Sequence, residues 1–241
     1  RTDVDIPEGM TQEDLIIQAG QAIFDYFGEV YDARIKTPTD DVASVIAHAE
    51  IDGKRIERFE ALSYYLLLGL AGHDTTNGTM AGGLLALIQN PEELAKLKAD
   101  PGLINSAVDE MLRWVTPTTT FMKTAAQDYE LRGKTIRKGD AVLTAFASGN
   151  RDADVFENPF SFRVDRRPNP QLAMGHGAHV CLGQHLAKME LRSFFRELVS
   201  RLESVELAGE ARMMPGVTSN QLYTLPIRYR IRQRERVAEP A

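Results

Sequence analysis

The only cysteine of the chain, Cys181, lies in a glycine-rich segment directly before a long amphipathic stretch. Residues 174–183 read MGHGAHVCLG, and glycines there permit a loop path that other residues do not. A lone cysteine is most often a small buried hydrophobic residue. Here, however, a helix is predicted to begin at or just after Cys181, so a thiolate would face its positive end and free backbone N–H groups. This setting favours the thiolate form and suits a metal ligand.

A second polar group interrupts an apolar stretch that predicts a buried central helix over residues 59–89. Residues 71–76 read AGHDTT, and acidic and hydroxyl groups are costly to bury. One interpretation is a satisfied polar patch, in which Thr75 bonds the carbonyl of Ala71 and opens the helix, with Gly72 aiding the bend. The other is a kinked groove in which Asp74 and Thr75 serve oxygen binding and proton delivery.

A third candidate is the pair Glu110 and Arg113, which are three residues apart on one predicted helix. Most such pairs are solvated surface contacts. Arg166, in the loop before the glycine-rich segment, is expected to join them.

The elements that must position these residues change in type along the chain. The first half predicts helices and the second half predicts short strands, a long loop and one further amphipathic helix. The helices are predicted at 12–35, 41–49, 59–89, 103–115, 152–158 and 182–202, with a further helix starting at Asn90-Pro91. The strands are predicted at 121–125, 129–131, 141–145 and within 205–232, with turns at 132–134 and 138–140.

Composition bounds the kind of protein. The chain has 241 residues, of which 43% are hydrophobic and 26% charged, and its net charge is −6. These fractions exclude bulk disorder and argue against a nucleic-acid partner. One cysteine excludes an internal disulfide framework and any multi-cysteine metal centre, and it favours the cytoplasm. Residues 1–9 do not resemble a signal peptide, and the apolar run at 64–72 is too short for a membrane span.

Together these segments resemble the cytochrome P450 family of haem-thiolate monooxygenases. The AGHDTT run resembles the oxygen-activation motif of the family's long central helix, and Glu110 to Arg113 resembles its Glu-x-x-Arg motif. Residues 162–166 resemble the segment that supplies the third member of its Glu-Arg-Arg triad. Residues 175–183 resemble its haem loop.

The resemblance implies a mainly α fold with small β-sheets (α+β), without the family's usual N-terminal part. Residues 1–241 would form the C-terminal portion of a single cytochrome P450 domain. Its parts would be a helical core at about 11–115, small strands at about 119–145, the haem loop and following helix at about 162–202, and C-terminal strands at about 205–232.

The resemblance also implies roles for individual residues. Cys181 would be the axial ligand of the iron of haem b, and Asp74 and Thr75 would deliver protons. Glu110, Arg113 and Arg166 would be structural. The remaining haem contacts would be His179, Lys123, Ala71, Gly72, Gly175 and Gly183, and the substrate would be lined by Leu67, Leu70, Ala71, Thr119 and Leu222.

Two positions depart from the family pattern. Met174 stands where the family usually has an aromatic residue, seven residues before the cysteine. Lys123 stands where an arginine often binds a haem propionate, and lysine keeps the charge without the two-pronged geometry. His179 matches a second propionate contact of bacterial members.

The resemblance implies insertion of one oxygen atom from O₂ into a C–H bond of a small hydrophobic substrate, such as a terpene or an alkylbenzene. Because no flavin or nicotinamide motif occurs, electrons would come from NAD(P)H through a separate reductase and a ferredoxin. The ferredoxin would dock near Cys181 on a stripe that includes Lys188 and Arg192.

Three other interpretations compete with this one. His176, His179, Cys181 and His185 are close enough in sequence to suggest a zinc site, although their spacing fits no common zinc pattern. The chain could instead be a non-catalytic fragment that serves as a structural or binding module. The arginine-rich residues 228–236 could suggest nucleic-acid binding, but alternation of arginine with apolar residues favours an edge strand.

Overall fold

The computed structural model describes residues 7, 9–216 and 218–233, and they form a mainly helical protein with small antiparallel sheets. The long helix α3 spans Arg58–Gln89. Internal contacts divide the chain into two compact units, residues 1–73 and 74–241, and the boundary falls within α3. No helix within the described residues is long and apolar enough to cross a membrane.

The first unit contains helices α1 (Gln12–Lys36) and α2 (Val42–Ala47), strands β1 (Glu50–Ile51) and β2 (Lys54–Arg55), and the start of α3. α1 begins at a capping box, because the Asp14 N–H donates to Thr11 Oγ1 (3.1 Å) and the Thr11 N–H donates to Asp14 Oδ2 (2.7 Å). The core of this unit is a small apolar cluster of Tyr31, Ala47, Ile56, Ala61, Leu62 and Tyr65.

The second unit contains the rest of α3 and helices α4 (Pro91–Ala99), α5 (Ile104–Val115), α6 (Phe146–Gly149) and α7 (Gln184–Arg201). Its core includes Leu87, Met111, Leu112, Val164, Leu191 and Phe195. Gly83 of α3 permits the close packing, since a Cβ there would lie 3.0 Å from Met111 and 3.1 Å from Phe195.

The strands of the second unit pair antiparallel, two at a time, within the described residues. β3 (Thr120–Thr124) pairs with β6 (Ala141–Ala145), and β4 (Tyr129–Leu131) pairs with β5 (Lys134–Ile136). Near the C-terminus, β7 (Leu202–Leu207) pairs with β10 (Ile227–Ile231), and β8 (Arg212–Met213) pairs with β9 (Leu222–Thr224).

Most predicted elements are confirmed within a few residues, and strands 129–131 and 141–145 are confirmed with the same bounds. The predicted helix at 152–158 is wrong, because these residues form turns and bends. The Phe156 N–H donates to Asp152 O (2.8 Å), but Asn158 has a φ of +47°, which ends any helical path. Helix α6 and strand β5 were not predicted; β5 begins at Lys134, which was assigned to a turn.

The prediction that α3 is buried along its length is also wrong. Its first turns contribute Ala61, Leu62 and Tyr65 to one core, and its last turns contribute Ala86 and Leu87 to the other. Residues 67–74 belong to neither core, and the side chains in this stretch are exposed. An apolar sequence shows that a face can be buried, but it does not show what covers it.

Candidate active site around Cys181

Three charged side chains form a buried cluster in the second unit. Glu110 and Arg113 are 0% exposed and Arg166 is 4% exposed. Arg113 binds the carboxylate in a two-pronged manner, with Nε donating to Glu110 Oε2 (2.7 Å) and Nη2 donating to Oε1 (2.8 Å). Arg166 Nε lies 3.1 Å and 3.0 Å from the same two oxygens. The structure thus brings together the three residues assigned to the triad.

The remaining guanidinium N–H groups of this cluster hold the irregular chain before the glycine-rich segment. Arg113 donates to the carbonyls of Asn150 (2.8 Å), Pro159 (2.9 Å) and Ser161 (3.1 Å). Arg166 donates to the carbonyls of Glu157 (2.7 Å), Asn158 (3.2 Å) and Ser161 (2.7 Å). Buried charges are tolerated when they are paired and fully hydrogen-bonded, as they are here.

A second ionic group fixes the same stretch of chain from α4. The buried carboxylate of Glu93 accepts the Val164 N–H (2.7 Å) and binds Lys96 Nζ (2.8 Å). Lys96 also lies 3.3 Å from Asp165. Burial opposes ionisation of Asp165, but the hydrogen bond and charge of Lys96, together with the charge of Arg163, lower its pKa overall. The hydrogen bond to Glu93 raises the pKa of Lys96.

Residues 172–183, here called the cysteine loop, fold back on themselves through backbone hydrogen bonds. The Gly175 N–H donates to Leu172 O (2.9 Å), and the Cys181 N–H donates to Met174 O (2.7 Å). Residues Gly177–His179 form a short 3-10 turn between them. The loop is therefore closed by a hydrogen bond between two residues seven positions apart, and Cys181 is one of them.

Gly175 is required by this geometry for two reasons. Its φ is +70°, and a Cβ at this position would lie 2.7 Å from the backbone oxygen of His179. Gly177 has a φ of +67°, but a Cβ there would meet nothing within 4 Å. The positive φ favours glycine at both positions, and only at Gly175 would a Cβ also clash with the backbone.

Cys181 itself is a free and exposed thiol. Helix α7 begins three residues later, and the Gln184 N–H donates to the Cys181 carbonyl (3.2 Å). The thiol-bearing residue thus directly precedes the first turn of the helix, where backbone N–H groups favour negative charge.

The other residues assigned to cofactor or substrate lie on separate elements. In the second unit, Lys123 is exposed on β3, His179 is exposed in the 3-10 turn, and Leu222 is half-buried on β9. Half-buried Thr119 donates its N–H to Thr218 O (3.0 Å). Gly183 precedes α7.

On α3, Asp74 is exposed, Thr75 is half-buried and the Thr75 carbonyl accepts the hydroxyl of buried Thr79 (2.8 Å). The residues Leu67, Leu70, Ala71 and Gly72 are exposed in the first unit. α3 is a continuous α-helix through all of these positions.

An open groove in the second unit has a volume of about 480 Å³. Trp114, Arg151 and exposed Phe160 are among the residues that line it, whereas Thr119 and Leu222 do not. Arg151 is engaged there, because its Nη2 donates to Trp114 O (2.7 Å) and its guanidinium lies 4.8 Å from the Trp114 ring. Burial, with the nearby charge of Arg113, lowers the pKa of Arg151.

The side chains available as metal ligands distinguish a zinc site from an iron that is held mainly by a cofactor. Within residues 7, 9–216 and 218–233, no three His, Cys, Asp or Glu side chains cluster as metal ligands, so the zinc interpretation is wrong for the described chain. A single exposed cysteine in a preformed loop fits an iron whose other ligands belong to a cofactor, as in haem. The residues present therefore fit the haem that the sequence resemblance implies.

An exposed cysteine loop and a buried Glu-Arg-Arg cluster lie in the same unit, as the resemblance to haem-thiolate proteins implies, and comparisons with known proteins agree with that class. The sequence model of the family described as "Cytochrome P450" matches residues 102–231. "Cytochrome P450-terp" from Pseudomonas sp is 44% identical over 206 residues, which cover 86% of this chain and 48% of that protein. The biotin biosynthesis cytochrome P450 of Bacillus subtilis is 39% identical over 88% of this chain and 54% of its own length.

Solved structures give the same result. CYP108D1 from Novosphingobium aromaticivorans matches with a TM-score of 0.84 and 39% identity, over 92% of this chain and 54% of that chain. The chain belongs to the cytochrome P450 family, so the predicted family and the predicted α+β fold are confirmed. The chain spans about half the length of the curated relatives it matches.

Proposed function

We propose that the protein is a haem-thiolate monooxygenase that inserts one oxygen atom from O₂ into a C–H bond of a small hydrophobic substrate. The observation that carries the proposal is the exposed Cys181 in a closed glycine loop, within a chain of this family. Haem, when bound, would supply oxygen activation, with its iron held by Cys181 and its propionates by His179 and Lys123. The positive charge of Lys123 suits a propionate even without the fork of an arginine.

Asp74 and Thr75 are proposed to move protons. Thr75→Ala should retain haem and substrate binding but divert electrons to hydrogen peroxide, because the ordered proton path is lost. Thr75→Ser keeps the hydroxyl and should restore coupling. The measurement is the ratio of product to NADH consumed, and tightly coupled turnover by Thr75→Ala would contradict the role.

The substrate is proposed to be a terpene or an alkylbenzene. The name of "Cytochrome P450-terp" supports a terpene, and the predicted lining residues Leu67, Leu70 and Leu222 are apolar. The test supplies the complete polypeptide with a ferredoxin, its reductase and NADH, and offers a terpene and an alkylbenzene under ¹⁸O₂. One labelled oxygen atom in the product supports the proposal, whereas absence of labelled product from both substrates contradicts this substrate class.

Electrons are proposed to come from a ferredoxin in the cytoplasm. Lys188, on the predicted docking stripe, is paired with α5, because its Nζ is 2.7 Å from Asp109 Oδ1. Lys188→Glu would therefore place two carboxylates together and disturb the fold. Half-buried Arg192 is the better probe: Arg192→Glu should slow reduction by ferredoxin at low salt and leave substrate affinity unchanged.

Haem binding distinguishes the proposed monooxygenase from the non-catalytic alternative. A structural or binding module would show neither thiolate-ligated haem nor NADH-dependent product. The family match and the hydrogen-bonded cysteine loop do not favour it.

A further inference from the structure

Asn150 is a buried amide that follows α6 and touches three different parts of the second unit. Its exposure is 0%, and its backbone N–H donates to Phe146 O (2.8 Å). Its side-chain Nδ2 donates to Thr116 Oγ1 (2.8 Å), its Oδ1 accepts the Leu172 N–H (2.7 Å), and its carbonyl accepts Arg113 Nη1 (2.8 Å).

The surroundings determine which way this amide points. The Thr116 hydroxyl donates its proton to Arg113 O (2.7 Å), so it must accept a hydrogen bond from Asn150. The Leu172 N–H is a donor, so it must face the amide oxygen. Only a side chain with a donor and an acceptor side by side satisfies both neighbours, which asparagine does and aspartate does not.

Asn150 is connected to the cysteine through Leu172, two backbone hydrogen bonds of the cysteine loop and the peptide bond between Met174 and Gly175. Leu172, which is held by Asn150, accepts the Gly175 N–H (2.9 Å), and Met174 accepts the Cys181 N–H (2.7 Å). The Leu172 side chain also packs closely on Gly149, since a Cβ there would lie 3.0 Å from Leu172 Cδ1. The first residue of the cysteine loop is therefore fixed by both polar and apolar contacts.

We infer that Asn150 is a positioning residue for Cys181: it transmits the rigidity of the buried Glu110–Arg113–Arg166 cluster to the cysteine loop through Leu172. The inference rests on the proposed function in so far as Cys181 binds haem iron. An amide that served only to stabilise the C-terminal end of α5 would act through Thr116 and would leave the loop unaffected.

Two variants separate these roles. Asn150→Ala removes both side-chain bonds, whereas Thr116→Val removes the bond on the α5 side and leaves the Leu172 N–H with its acceptor. Both should lower the thermal stability. Only Asn150→Ala should accelerate hydrogen exchange of the Leu172 and Cys181 amides, by about tenfold, because only it releases the loop.

The experiment uses the complete polypeptide loaded with haem and adds the reduced carbon monoxide spectrum, which distinguishes thiolate from thiol ligation. Asn150→Ala should increase the thiol-ligated fraction, and Thr116→Val should retain the wild-type spectrum. Equal changes in both variants, or none in Asn150→Ala, would overturn the inference.

If Asn150→Ala does not fold, hydrogen exchange of the wild type still tests the inference. A Leu172 amide that exchanges much faster than the interior amides of α5 overturns it. A wild-type spectrum without thiolate ligation overturns the proposed function instead, while the exchange data still test Asn150.

Discussion

The buried ionic cluster and the cysteine loop lie in the same unit, but their functional side chains differ in exposure to solvent. Glu110, Arg113 and Arg166 are almost wholly removed from solvent, and fixed carbonyls and carboxylate oxygens surround their polar atoms. Cys181 is exposed, and only its backbone is held. The contrast indicates that this protein buries charge to build a rigid support and leaves the thiol of Cys181 exposed.

The largest effect is expected from removal of the carboxylate at the centre of the cluster. Glu110→Ala leaves two buried guanidinium groups without their counter-charge, which costs about 3–5 kcal/mol. The variant should misfold or lose haem, as measured by soluble yield and thermal unfolding. Glu130→Ala, at an exposed position on β4, is the matched control and should stay close to wild type. A stable, haem-loaded Glu110→Ala with only slower turnover would show that the cluster is not structural.

An intermediate effect is expected within the cysteine loop, where two glycines offer a matched pair. Gly177→Ala incurs only the cost of a positive φ, about 1–2 kcal/mol. Gly175→Ala incurs that cost and in addition a clash with the backbone oxygen of His179. Gly175→Ala should therefore destabilise the protein more and alter the reduced carbon monoxide spectrum, which Gly177→Ala should preserve. Equal unfolding free energies and identical spectra would show that the loop is not shaped as described.

The smallest effect is expected from the half-exposed ion pair beside the cluster. The side chains of Lys96 and Asp165 are 38% and 36% exposed, so Asp165→Asn, which leaves the bond between Lys96 and buried Glu93 in place, should lower the free energy of unfolding by no more than about 1 kcal/mol. The pKa of Asp165 is lowered from 3.8, so its contribution is present above that pH and is lost as pH falls through the lower folded pKa. The pKa of Lys96 is raised from 10.5, so its contribution is complete below that pH and is lost as pH rises further.

Urea unfolding at a series of pH values, from acid to alkaline, checks this prediction. The difference between wild type and Asp165→Asn should stay constant between about pH 5 and pH 9 and shrink in stronger acid. Asp154→Asn, at an exposed position, is the control and should show no such change. A difference that grows in acid would contradict the assignment.

The sequence predicts local structural elements well, because they depend on residues that are close together along the chain. Strand 129–131, for example, ends where the predicted turn at 132–134 begins, and the structure has the same strand bounds. Contacts between distant residues carry no comparable local signal. The ion pair of Lys188 with Asp109 joins two helices, so the position of Lys188 along α7 could not reveal it.

Asn150 shows the same limit within the candidate site. Its partners Thr116 and Leu172 are 34 and 22 residues away along the chain, so no spacing pattern could identify them. The burial of its side chain became evident only in the structure.

The most direct test of the account is the identity of the iron ligand. Haem is reconstituted into the complete polypeptide and its Cys181→Ala variant, and the reduced carbon monoxide spectrum is recorded for both. The account predicts a Soret band typical of thiolate ligation in the wild type and its loss in Cys181→Ala. A Soret band at the same position in both proteins would contradict the central claim that the cysteine loop holds a haem iron through Cys181.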